Sequence, residues 1–78
     1  MLNKNVVIYT NESQDSVKLK NILNEWDIDY EERNISENND YLIELQKKGI
    51  FATPATFIDN YCIQGVQPDH LKTELNIN

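Results

Sequence analysis

The apolar run Val6-Val7-Ile8-Tyr9 leads straight into the polar stretch Thr10-Asn11-Glu12-Ser13-Gln14-Asp15-Ser16. This junction constrains the fold more than any other part of the chain. Successive side chains of a strand point to opposite faces, so an unbroken β-rich apolar run is a strand buried on both faces. That requires a packed layer on each side of a sheet and predicts a central strand over Asn5 to Thr10. Beyond it, Ser13 is placed to cap a helix, with Asp15 in the first turn, where its charge complements the helix dipole. Leu19, Ile22, Leu23 and Trp26 then fall at i, i+3, i+4 and i+7, the apolar face of a helix running to about Trp26. A helix start presents unpaired N–H groups and the positive end of the dipole. The turn at Ser13 is therefore where an ionising or anionic group would be stabilised, and where function is expected.

The chain has 78 residues, enough for one domain (1–78) with a small core that buries roughly 60% of the surface its unfolded form exposes. Thirteen acidic residues against seven basic ones give a net charge of −6, and no basic cluster exceeds the pair Lys47-Lys48. That balance argues against nucleic acid or an anionic membrane as a partner. No apolar run could span a bilayer, and the N-terminus lacks a signal-peptide pattern, so a soluble cytoplasmic protein is the expectation. Cys62 is the single cysteine and His70 the single histidine. An internal disulfide and a cysteine-rich metal centre are excluded, and neither a metal nor a bound cofactor is expected.

The rest of the chain reads in order. Asp27 breaks the first helix, and the mixed segment Ile28 to Ile35 holds an edge-like strand around Asp29 to Arg33, its charges blunting unwanted edge pairing. Strand, helix, strand over this length is a βαβ unit with parallel strands. Ser36 to Asp40 opens a second helix carrying Tyr41, Leu42 and Leu45, with Lys47 and Lys48 in its last turn and Gly49 closing it. Ala52 to Gly65 reads as an antiparallel hairpin turning at Asp59-Asn60. Pro68 suits the first position of a final helix with Leu71 and Leu75 on its apolar face and Asp69 near its positive end. The fold class is α/β, in the order β-α-β-α-β-β-α, with a four-stranded mixed sheet flanked by helices on both faces.

That order resembles the thioredoxin fold in its short glutaredoxin form. The likeness is carried by Ile8-Tyr9-Thr10, Lys18 and Lys20, Asp29 to Ile35, Thr53-Pro54-Ala55-Thr56-Phe57-Ile58 and Gly65-Val66-Gln67-Pro68-Asp69. It spans Asn5 to Leu75. The Gly-x-x-Pro-Asp ending looks more like the NrdH-type redoxins, and the glutathione-binding Gly-Gly of glutaredoxins is here Gln64-Gly65. The resemblance implies a thiol-disulfide oxidoreductase and electron donor with a Cys-x-x-Cys turn. Ser13 takes the position of the attacking cysteine and Ser16 that of the resolving one. It further implies a cis bond at Thr53-Pro54 and a substrate groove bordered by Thr53, Pro54, Gly65, Val66 and Asp69; a monomer is the default expectation for a domain this small. Thioredoxin reductase or glutathione would be the reductant, and a disulfide-bearing protein such as ribonucleotide reductase the target.

The departure lies at the reacting atoms. A thiol at a helix start ionises near neutral pH and attacks a disulfide sulfur; a serine hydroxyl does neither without a strong base. The chain as written is expected to be redox-inactive. Replacement of both cysteines by serine accounts for this, and so does a non-enzymatic adaptor that keeps the groove for a peptide or thiol. A serine hydrolase is disfavoured, since His70 is the one base of its kind and has no acidic partner in view. Cys62 reads as a small buried hydrophobe, Trp26 as helix core and His70 as helix surface.

Overall fold

The computed structural model describes residues 4–77. The elements run β1 (Val6–Thr10), α1 (Gln14–Glu25), β2 (Glu31–Asn34), α2 (Asn39–Lys47), β3 (Ala55–Ile58), β4 (Tyr61–Gln64) and α3 (Pro68–Leu75). The sheet order is β2-β1-β3-β4. β1 pairs parallel with β2, with Val7 opposite Glu31, and antiparallel with β3, with Ile8 opposite Thr56. β3 and β4 form the expected hairpin, with Asp59 at φ 55° in its turn.

All five residues of β1 are buried, and their alternation divides the core into two layers. Val6 and Ile8 join Leu19 and Leu23 of α1, Leu71 and Leu75 of α3, and Ile58 and Ile63 of the hairpin. Val7 and Tyr9 face the other way, toward Leu45 of α2 and Ala55. Each buried leucine contributes about 1.5–3 kcal/mol through removal from water. Within the first layer Thr56 is fully buried, and its Oγ1 has no hydrogen-bond partner among the described residues.

Three expectations need adjustment. The second strand spans Glu31–Asn34, two residues later at its start than the charge pattern indicates. Asp27 takes a left-handed φ of 56°, and the Ile28 N–H returns to the Leu23 carbonyl at 3.0 Å. Ile28 and Tyr30 are thereby spent as packing against the α1 layer. Trp26 caps the end of α1, half-buried against that layer with the Lys72 ammonium 5.6 Å from its ring centroid, and is not an interior helix residue. His70 is half-buried: its Nε2 lies 2.9 Å from the Tyr61 hydroxyl, with the rings edge to face.

The second layer has a polar seam. The Tyr9 hydroxyl donates to Glu44, and the Arg33 guanidinium donates to Tyr9, Glu44 and Glu31. Burial and the Glu44 contact raise the Tyr9 phenol above its ordinary pKa, whereas hydrogen bonding from Tyr9 and the Arg33 charge hold the Glu44 carboxyl below its own. On the other side of β1, Thr10 Oγ1 donates to Glu32 Oε2 at 2.7 Å, and Lys20 Nζ pairs with the same oxygen at 3.0 Å. These contacts tie β2 and α1 to the strand end from which the turn leaves.

Candidate functional site

Ser13 is the N-cap of α1. Its φ of −76° and ψ of 160° are extended, and its Oγ accepts the Ser16 N–H at 3.2 Å. The two serines stand one behind the other, Ser13 half-buried and Ser16 fully buried, with their hydroxyl oxygens 3.3 Å apart. The Ser16 hydroxyl donates to Asn11 Oδ1 at 2.9 Å and accepts the Asn11 N–H at 3.0 Å. Donation therefore runs from Ser13 to Ser16 to an amide oxygen, and an amide oxygen takes up no proton at neutral pH. No base activates Ser13 through this relay. His70 is engaged with Tyr61.

Asn11 organises the site, a role invisible in the sequence. Besides the Ser16 hydroxyl, its Oδ1 accepts the Ser13 N–H at 3.0 Å, and its Nδ2 donates to Thr53 Oγ1 at 2.9 Å. One amide side chain thus closes the turn and fastens it to a loop 42 residues further on. An Asx turn at Asn11 could have been guessed from residue type; its reach to Thr53 depends on the β1–β3 pairing.

The Thr53–Pro54 bond is cis. Thr53 lies outside the ladders, and its backbone N–H and C=O have no partner among the described residues. Pro54 is buried, and its carbonyl accepts the Gly65 N–H at 2.7 Å. Gly65 has φ 77° with open space around the position a Cβ would take, so backbone conformation and not close approach selects glycine there. Val66 is half-buried against the α1–α3 layer, and Asp69 is exposed in the first turn of α3. Ser13 and Ser16 are therefore linked through Asn11 to Thr53, and Thr53 through the peptide bond to Pro54 and its hydrogen bond to Gly65, with Val66 and Asp69 following in the chain.

Cys62 is remote from this chain of bonds. It sits on β4 opposite Phe57, half-buried at the edge of the α2 layer. Burial raises its thiol pKa above the ordinary value, the reverse of what a reactive thiolate requires. On the same face a groove of about 480 Å³ is lined by residues including Val7, Tyr9, Arg33, Lys48 and Phe57. Asn5, Asp59 and Asn60 also line it, so it follows the chain from Asn5 along β1 to Tyr9. Among the described residues no helix is long and apolar enough to cross a membrane.

A capped strand-to-helix turn at the end of a central strand, bonded to a Thr-Pro loop that opens an antiparallel hairpin, defines a redoxin scaffold of the thioredoxin fold. Within that class the chain belongs to the glutaredoxin family, whose model matches residues 6–63. Among solved structures, the thioredoxin-like protein BC3987 superimposes with a TM-score of 0.83 at 24% identity, covering 90% of this chain and 99% of that one. The glutaredoxin-like protein NrdH-redoxin from Escherichia coli gives 0.79 at 18% identity, covering 88% and 92%. The glutaredoxin of Archaeoglobus fulgidus gives 0.79 at 17%, covering 97% and 89%. These likenesses establish the fold. A comparison with curated proteins finds no match.

Proposed function

We propose that this chain is an NrdH-type redoxin scaffold whose dithiol form is a thiol-disulfide oxidoreductase, and that in its Ser-x-x-Ser form it binds substrate without exchanging disulfides. The observation that carries the reading is the arrangement of the pair. Ser13 is half-exposed at the positive end of α1, Ser16 is buried directly behind it, and Thr53, whose backbone is free, is held to the same turn by the bond from Asn11 to its Oγ1. With sulfur at both positions, a thiolate at 13 would attack a substrate disulfide and expel one substrate thiolate. The thiol at 16, as thiolate, would then attack the mixed disulfide, closing an internal S–S bond and releasing the second substrate thiolate. The helix start lowers the cost of the thiolate at 13, and the Thr53 backbone supplies one donor and one acceptor to an extended partner. Thioredoxin reductase or glutathione would return the electrons, and a disulfide-bearing protein such as ribonucleotide reductase would receive them, in a cytoplasmic setting. With oxygen at both positions no S–S bond forms, and the relay ending on Asn11 supplies no base.

A non-enzymatic adaptor is a second reading with its own support. The hydroxyl network is complete for oxygen, since the buried Ser16 hydroxyl donates once and accepts from both Asn11 N–H and the Ser13 hydroxyl. One experiment separates the two. Ser13→Cys/Ser16→Cys is prepared, and reduction of a model disulfide is followed with thioredoxin reductase and NADPH, and separately with glutathione. Turnover with either system, absent in the parent chain, is expected; no turnover with both would leave the adaptor.

A further inference from the structure

Two hydrogen bonds, Asn11 Nδ2 to Thr53 Oγ1 and Gly65 N–H to the Pro54 carbonyl, draw residues 11–17, 51–56 and 64–69 to one end of the sheet. Those segments contain three carboxylates, Glu12, Asp15 and Asp69, and the first segment is followed directly by Lys18. All three are exposed, and none is in an ion pair among the described residues. Of the nearby cations, Lys20 is shared between Glu32 and the field of Glu12, Lys48 lies over the Phe57 ring, and Lys18 stands one helical turn from Asp15. Against the three carboxylates, the starts of α1 and α3 each supply about +0.5 of partial charge and Lys18 one full charge, which leaves the rim near −1. Inside it stand apolar side chains exposed to water: Phe51 at 79%, two residues before Thr53, and Val17 at 49%, directly after Ser16. An exposed aromatic is the kind of side chain that anchors a protein contact. A negative rim raises the local concentration of cationic partners and lowers that of anionic ones.

We infer that the groove, on the redoxin reading above, takes an extended basic polypeptide segment with an apolar residue beside its cysteine. Thr53 pairs with the partner's backbone, Phe51 and Val17 cover its apolar residue, and Glu12, Asp15 and Asp69 meet its flanking lysines or arginines.

The test uses a Ser13→Cys/Cys62→Ala variant and three synthetic peptides sharing a Leu-Cys-Leu core, flanked by lysines, glutamates or glutamines. Each peptide cysteine is held as a mixed disulfide with thionitrobenzoate. The variant's thiol loses its proton to buffer and the thiolate attacks the peptide sulfur. A protein–peptide S–S bond forms as the peptide–thionitrobenzoate bond breaks, and the coloured thiolate leaves with the electron pair. With a Debye length of about 30 Å at 0.01 M salt, the lysine peptide should be trapped about tenfold faster than the glutamate peptide. The ratio should fall to about two at 1 M, where the length is about 3 Å. Adding Glu12→Gln/Asp15→Asn/Asp69→Asn should abolish the preference. Adding Glu25→Gln/Asp27→Asn/Asp29→Asn, the same charge change at the far end of α1, should keep it. Phe51→Ser should slow all three peptides several-fold. Equal rates for the lysine and glutamate peptides, or loss of the preference with both triple sets alike, overturns the inference and leaves the redoxin reading standing. Trapping no faster than by free cysteine overturns both.

Discussion

Removing the Asn11 side chain should loosen the whole candidate site. Asn11→Ala deletes three hydrogen bonds, to the Ser13 N–H, the Ser16 hydroxyl and Thr53 Oγ1. Each contributes about 0.5–1.5 kcal/mol net, and a buried group left unpaired costs about 1–3 kcal/mol. Ser13 and Thr53 are half-buried, so water partly replaces their bonds, whereas Ser16 is fully buried and its hydroxyl loses its acceptor. The expected loss is about 2–3 kcal/mol. At a urea m-value of about 1 kcal/mol/M for a small protein, the midpoint falls by about 2–3 M with m unchanged. Asn11→Asp keeps the acceptor oxygens, and the Thr53 hydroxyl can donate to a carboxylate, so it should lose less than half as much. A double-mutant cycle with Ser16→Ala should give a coupling of about 1 kcal/mol, as expected for direct hydrogen-bond partners. An Asn11→Ala midpoint within about 0.5 M of the parent, or a coupling near zero, would refute the assignment of Asn11 as the tie between turn and loop.

Thr56→Val should stabilise the protein by about 1 kcal/mol in urea melts, because it replaces a buried hydroxyl that has no partner among the described residues by a methyl among Ile8 and Ile63. Cys62 should be alkylated by iodoacetamide more slowly than a free thiol at pH 8, and its pH–rate midpoint should lie above the ordinary thiol value, since burial disfavours the thiolate; a midpoint below it would contradict the packing. Burial alone would raise Glu32, but the Thr10 hydrogen bond and the Lys20 ammonium outweigh it and hold the carboxyl below its ordinary value. Its stabilisation is therefore complete above the unfolded value and is lost as pH falls through the lower folded one, so Glu32→Gln should flatten the acid limb of a stability–pH curve and leave its shape above pH 6 unchanged.

The parts of the fold that were legible in the sequence are those fixed by neighbours along the chain. The Val6–Tyr9 run shows a strand covered on both faces because alternation leaves it no solvent side. Ser13 shows a cap, Gly49 a helix end at φ 81°, and Pro68 a helix start, since each supplies the backbone geometry that its position needs. The second strand was misplaced because Glu31, Glu32 and Arg33 owe their extended state to pairing with β1 and carry no pattern of their own. At the site, the turn and the Thr-Pro loop were legible through the family likeness. Asn11 was not, because its function is a bond across 42 residues. Charge at the rim was likewise hidden, since Asp69 becomes a neighbour of the Ser13 turn only through Thr53, Pro54 and Gly65.

The two sides of the sheet are held with unequal force. One side is an apolar stack in which α1 and α3 contribute four fully buried leucines, while α2 contributes buried Leu45 and partly buried Tyr41 and otherwise relies on the Tyr9–Arg33–Glu44 seam. Contacts of the second kind weaken in salt and acid, and those of the first do not. Salt and acid should therefore loosen the α2 side before the α1–α3 side, with the turn and its helix remaining packed.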